Sequence, residues 1–78
     1  MVVKVLLVVN TEPGRQNEIY AVLKSFNEVS LLCNIERGQY DIVALVEVDT
    51  FDGYHELIKK VAALPNASDF ASFITLDV

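Results

Sequence analysis

Apolar residues come in blocks whose period changes along the chain. Val2-Val3-Lys4-Val5-Leu6-Leu7-Val8-Val9 is apolar on both parities and rich in β-branched residues, which predicts a central strand covered on two faces. Asn10-Thr11-Glu12-Pro13-Gly14 reads as a turn into a helix, with Thr11 as its cap and Pro13 in the first turn, where no N–H is needed. Ile19, Val22, Leu23 and Phe26 then fall at i, i+3, i+4 and i+7, one apolar stripe. Arg15, Gln16, Glu18 and Lys24 fall largely on its solvent side. The period drops to two after Asn27-Glu28. Val29, Leu31, Cys33 and Ile35 alternate with Ser30, Leu32, Asn34 and Glu36. Arg37-Gly38-Gln39 predicts a tight turn, with glycine free to take a positive φ. The return strand spans Tyr40 to Val48, with Ile42, Ala44, Val46 and Val48 on one face and Val43 and Leu45 on the other.

The second half repeats the plan. Thr50 is the expected cap of a helix whose stripe is Tyr54, Leu57, Ile58, Val61 and Leu64, and Pro65 stops it. A final strand is expected from about Ser68 to Leu76. Thr11 and Thr50, Gly14 and Gly53, Val22 and Val61 are each 39 residues apart. Two such units in the order βαββαβ predict an α+β, ferredoxin-like sandwich: a four-stranded antiparallel sheet with both helices on one face. Strands one, three and four carry apolar residues on both parities: Leu6 and Leu7, Ala44 and Leu45, Phe73 and Ile74. One parity packs under the helices. The other predicts a dimer through the sheets.

Size sharpens that expectation. Residues 1–78 make one domain, and a domain this small buries only about 60% of its unfolded surface. Yet 53% of the residues are apolar, so a homo-oligomer is expected. Lys and Arg number 6 against 11 Asp and Glu, a net charge of -5, and the longest basic run is Lys59-Lys60. Nucleic-acid affinity needs a basic face, so no direct nucleic-acid binding is expected. The run Val2 to Val9 is too short for a membrane span and has no cleavage pattern after it. One cysteine allows no internal disulfide, and the setting reads as reducing cytoplasm.

The search for chemistry gives little. His55 is the one histidine and reads as a solvated helix residue, with no metal-ligand spacing to Cys33. Cys33, between Leu31 and Ile35, reads as a buried, inert thiol. Glu47, Asp49 and Asp52 flank a helix start, where negative charge is favourable in itself. Single glycines at Gly14 and Gly53 make no phosphate cradle. No catalytic residue, metal or cofactor is expected, and the chain does not read as an enzyme. Arg37-Gly38-Gln39-Tyr40-Asp41 is the densest polar cluster. A cation, an amide, a phenol and a carboxylate within five residues read either as turn chemistry or as a grip on a zwitterion, Asp for an ammonium and Arg or turn N–H groups for a carboxylate.

The segment Ile35-Glu36-Arg37-Gly38-Gln39-Tyr40-Asp41-Ile42-Val43 resembles the effector domain of leucine-responsive/asparagine-responsive (Lrp/AsnC) transcription regulators, also called the RAM module. The family pattern is an apolar residue, Thr, Gly, any residue, Tyr and Asp before an apolar strand; here Arg37 stands for the Thr. Glu12-Pro13-Gly14, Leu57-Ile58 and Leu64-Pro65 extend the resemblance over essentially the whole chain. It implies the same ferredoxin-like sandwich, dimers through the sheets and rings of dimers. It implies a small effector, often an amino acid, between dimers near Gly38, Gln39, Tyr40 and Asp41, with Ser68, Asp69 and Ser72 from the last strand. Where the family commonly has Thr-x-Thr, this chain has Phe70-Ala71-Ser72, which removes a hydroxyl and fills space. The chain starts directly with the first strand, so the resemblance implies a stand-alone module that modulates transcription by oligomerisation or by co-assembly with a DNA-binding paralogue. Other readings of the same fold are a structural oligomer without ligand, a small dimeric α/β-barrel enzyme and an ACT-type amino-acid-binding domain.

Overall fold

A computed structural model describes residues 2–75. Strand β1, Val3–Thr11, leads to helix α1, Gln16–Ser25. Strands β2, Val29–Asn34, and β3, Ile42–Val48, form a hairpin. Helix α2, Phe51–Ala62, returns the chain to strand β4, Ala67–Ile74. The strands lie in the order β2-β3-β1-β4, all antiparallel, so the two longest-range pairings flank β1. This is the expected ferredoxin-like sandwich. The expected end of the last strand at Leu76 lies outside the described residues. Among the described residues no helix is long and apolar enough to cross a membrane.

Alternation decides which side chains meet. Val3, Val5, Leu7 and Val9 of β1 and Ile42, Ala44, Val46 and Val48 of β3 point under the helices. Ile19 and Leu23 of α1 and Leu57 and Val61 of α2 close that core. The stripes are narrower than expected: Val22 is exposed, while Phe26, Tyr54 and Leu64 pack at the core's margin.

Helix α1 starts later than expected, and Thr11 does not cap it. Arg15 N–H donates to Glu12 O at 3.0 Å, and Gly14 has φ +78°. With Pro13 ahead of it, this is the pattern of a type II turn. A positive φ cannot continue into a right-handed helix, so Pro13 belongs to the turn and α1 begins at Gln16 without a side-chain cap. Thr50, by contrast, accepts from Gly53 N–H at 3.0 Å, as expected of a cap.

Cys33 is exposed, contrary to the expectation of a buried thiol. The reason is a register shift between Val29 and Leu31. The bulge turns Val29 and Leu32 toward the core and leaves Leu31 opposite Leu45, and Cys33 opposite Val43, on the other face. Tyr40 also falls short of its strand, which begins at Ile42.

Candidate functional site

The polar cluster singled out in the sequence is a seven-residue loop, 35–41, and not a tight turn. Its neck is closed by Ile35 N–H donating to Asp41 O at 2.7 Å. Gly38 sits at φ +152°, and a Cβ there would lie 3.4 Å from Ile35 Cγ2. Glycine is what that backbone admits. Arg37, Gly38 and Gln39 are exposed, and Tyr40 is half-buried.

Asp41 holds the neck to the rest of the fold. Its N–H donates to Val9 O at 3.1 Å, the last backbone rung between β3 and β1. Its Oδ2 accepts from Thr11 N–H at 2.8 Å and Thr11 Oγ1 at 3.3 Å, standing where a further strand carbonyl would stand. Its carbonyl accepts a second bond, from Gln16 Nε2 at 3.0 Å. Gln16 Nε2 also donates to Asn34 Oδ1 at 3.0 Å. One amide at the first turn of α1 thus clasps both ends of the loop. Thr11, Gln16 and Asn34 were not legible as site residues. Gln16 counted as a solvent-side position, and nothing local marks a side chain that reaches 18 and 25 residues along the chain.

Beside this clasp lies an open cleft of about 460 Å³, lined by Thr11, Glu12, Pro13, Gly14, Gln16, Asn17 and Asp41. Its walls are mostly polar. The uncapped first turn of α1 supplies N–H groups, which suit an anion. Asp41 Oδ1 and Glu12 supply negative charge. Glu12 N–H is taken by Asn66 O at 2.8 Å, which ties the cleft floor to the turn before β4.

The last-strand candidates divide. Asp69 pairs with Asn10, so it flanks the same stretch of β1 that Asp41 flanks from the other side. Ser68 is exposed at the irregularity next to it. Ser72 stands apart: it pairs with Leu7, faces the helices, and its hydroxyl lies 2.6 Å from the Tyr54 hydroxyl of α2. The fold therefore gathers Gly38, Gln39, Tyr40, Asp41, Ser68 and Asp69 at one end of the sheet and leaves Ser72 in the middle.

At the opposite end, Glu28, Glu47, Asp49 and Glu56 line a second open cleft of about 380 Å³ at the start of α2. Lys60 Nζ donates to Glu28 Oε2 at 2.8 Å, and this hydrogen bond holds the Glu28 carboxyl below its usual range. Lys60 also sits 4.3 Å over the Phe26 ring, pinning α2 to the end of α1. His55 is exposed beside Tyr54, ring centroids 5.4 Å apart. Among the described residues no three His, Cys, Asp or Glu side chains are grouped to hold a metal ion.

Solved structures share this fold. The chain matches FFRP-DM1 with a TM-score of 0.90 at 24% identity, over 95% of this chain and 99% of that one. It matches E. coli AsnC with a TM-score of 0.85 at 22% identity, over 97% of this chain and 52% of that one. An AsnC family transcriptional regulator from Agrobacterium tumefaciens gives 0.80 at 20% identity, over 97% and 51%. The fold is that of the whole of FFRP-DM1 and of about half of each of the other two chains. No protein-family model matches the chain, and no curated protein does.

Proposed function

We propose that the chain is a non-catalytic regulatory module of the RAM type, which binds a small zwitterion and self-associates through its open sheet face. One observation carries the ligand half: α1's first turn, the clasped loop 35–41 and the start of β4 converge on the end of β1 beside an open polar cleft. The cleft offers N–H groups for a carboxylate and carboxylates for an ammonium, the two ends of an amino acid. Its volume falls in the range of small-molecule sites, but one side is open, as a site completed by a second subunit would be. The fold shared with a transcriptional regulator supports the regulatory part of this reading. A net charge of -5, with no basic run longer than Lys59-Lys60, does not favour direct contact between this domain and DNA.

The test is a panel of the common amino acids, read by thermal melting and native mass spectrometry. A ligand at about a hundred times its Kd adds about 2.7 kcal/mol, a rise in Tm of roughly 10–20 °C for a chain this small. The reading expects one amino acid, or a few of similar shape, to do this or to change the assembly size. No change in either measurement across the panel would contradict it.

A second reading has its own observation. Asp41 spends its N–H, its carbonyl and one carboxylate oxygen on the fold. A structural oligomer with the same loop and no ligand would need no more from it.

A further inference from the structure

The cleft at the end of β1 is unevenly charged. Two of its lining residues are ionisable, Glu12 and Asp41, and both are acidic. No cation lines it. Arg15, the nearest in sequence, turns its guanidinium to Glu18 Oε1 at 2.6 Å. Loop 35–41 brings one charge of each sign, Glu36 and Arg37, and neither lines the cleft. Asp69, which pairs with Asn10, adds a further negative charge at this end of the sheet.

The two carboxylates are held differently. Asp41 Oδ2 accepts from Thr11 N–H and from Thr11 Oγ1, which fixes the group and leaves Oδ1 to accept from something else. Glu12 is anchored by its backbone alone: its N–H donates to Asn66 O and its carbonyl accepts from Arg15 N–H. Its side chain is exposed and makes no ion pair among the described residues. Only one group of donors suits a carboxylate, the N–H groups of Gln16 and Asn17 at the uncapped start of α1. The Gln16 amide is no second group, because Nε2 is committed to Asn34 Oδ1 and Asp41 O.

We propose that this site takes an amino acid with a cationic side chain. The ligand carboxylate lies on the Gln16 and Asn17 N–H groups, the α-ammonium on Asp41 Oδ1 and the side-chain cation on Glu12. The inference rests on the zwitterion site stated under Proposed function and adds the class of its ligand. The count of partners decides it. One donor group matches one carboxylate, and two acceptors match two cations. A neutral amino acid leaves Glu12 unmatched. An acidic one sets a second carboxylate among acidic groups, where like charges repel. A diamine has no carboxylate and leaves the N–H groups unused. The fixed acceptor suits the α-ammonium, whose distance from the carboxylate is the same in every amino acid. The mobile acceptor suits a side chain, whose length varies.

The test is calorimetric titration of this chain at low salt with matched probes. L-norleucine has the carbon chain of L-lysine without its amine, and L-citrulline is L-arginine with an uncharged end. In at least one of these two pairs the cationic member is expected to bind about tenfold tighter, and added salt to narrow the gap. Cadaverine, which is lysine without its carboxylate, is expected to bind about tenfold more weakly than lysine or worse. Glu12→Gln leaves the backbone bonds of the turn intact. It is expected to bring the cationic member close to its neutral match and to leave the neutral one unchanged. Circular dichroism melting confirms that the variant folds.

Equal affinity within both pairs, or a preference that survives Glu12→Gln, overturns the ligand class while leaving an amino-acid site in place. So does binding of some other amino acid when neither pair binds. Cadaverine binding as tightly as lysine, or no amino acid binding at all, overturns the class and the zwitterion site beneath it together.

Discussion

Asp41 does more for the fold than its motif suggests. Its carboxylate is the last acceptor for β1, and without it Thr11 N–H is left without its partner. An unpaired, partly buried donor costs about 1–3 kcal/mol. Asp41→Ala is therefore expected to lose about that much in urea denaturation, and Asp41→Asn, which keeps an acceptor oxygen, distinctly less. Equal losses would show that the carboxylate does not close the ladder. Glu28 gives a pH-dependent counterpart. Its hydrogen bond from Lys60 lowers the folded-state pKa, so the carboxylate binds its proton less readily folded than unfolded. The stabilisation is then complete above the ordinary carboxylate range and fades as pH falls through it toward the folded value. The pair is partly exposed, with 43% and 28% of the two side chains accessible, and solvent screening keeps its size to about 0.2–1 kcal/mol. Lys60→Met is expected to remove that amount at neutral pH. The part of its effect due to Glu28 vanishes in acid, whereas the part due to Phe26 stays. A difference between the two chains that does not change with pH would contradict the pair.

Elements were legible where one physical cause dominates. Two-sided apolar runs marked β1 and β3, and i, i+3, i+4 spacing marked both helices. The two Thr-x-x-Gly turns share a spacing but not a structure. Gly53 lies inside α2, where a Cβ would meet Val48 Cβ at 3.4 Å, while Gly14 takes φ +78° in open space. Pro13 separates them: it favours a turn that only a positive φ completes. Gly14→Ala is thus expected to cost about 1–2 kcal/mol from backbone strain alone, whereas Thr50→Ala removes a cap worth about 1 kcal/mol. Asn66, at φ +71°, invites the opposite change: Asn66→Gly is expected to hold or raise the Tm. The bulge in β2 was not legible, because unbroken alternation from Val29 to Ile35 gives no sign of the extra residue. That one shift moved Cys33 from the expected interior to the open face. The candidate site was legible as a segment, 37–41, and not as a structure, since its clasp comes from Gln16 on another element.

At the scale of the whole molecule, the described fold leaves Leu6, Leu31 and Phe73 in water together on one face. Fully burying such a side chain is worth about 1.5–3 kcal/mol, and the fraction still exposed here leaves roughly half of that per residue for the self-association proposed above to recover. Leu6→Asp, in the middle of that face, is expected to abolish association; Leu6 is partly covered by Leu45 and Phe73, so some stability is lost as well, and circular dichroism checks that the variant stays folded. The most direct measurement is sedimentation equilibrium of the wild-type chain over micromolar concentrations. The account predicts a mass of at least twice the 8.7 kDa subunit, falling to one subunit in Leu6→Asp. A folded wild-type chain that holds to 8.7 kDa throughout would contradict it.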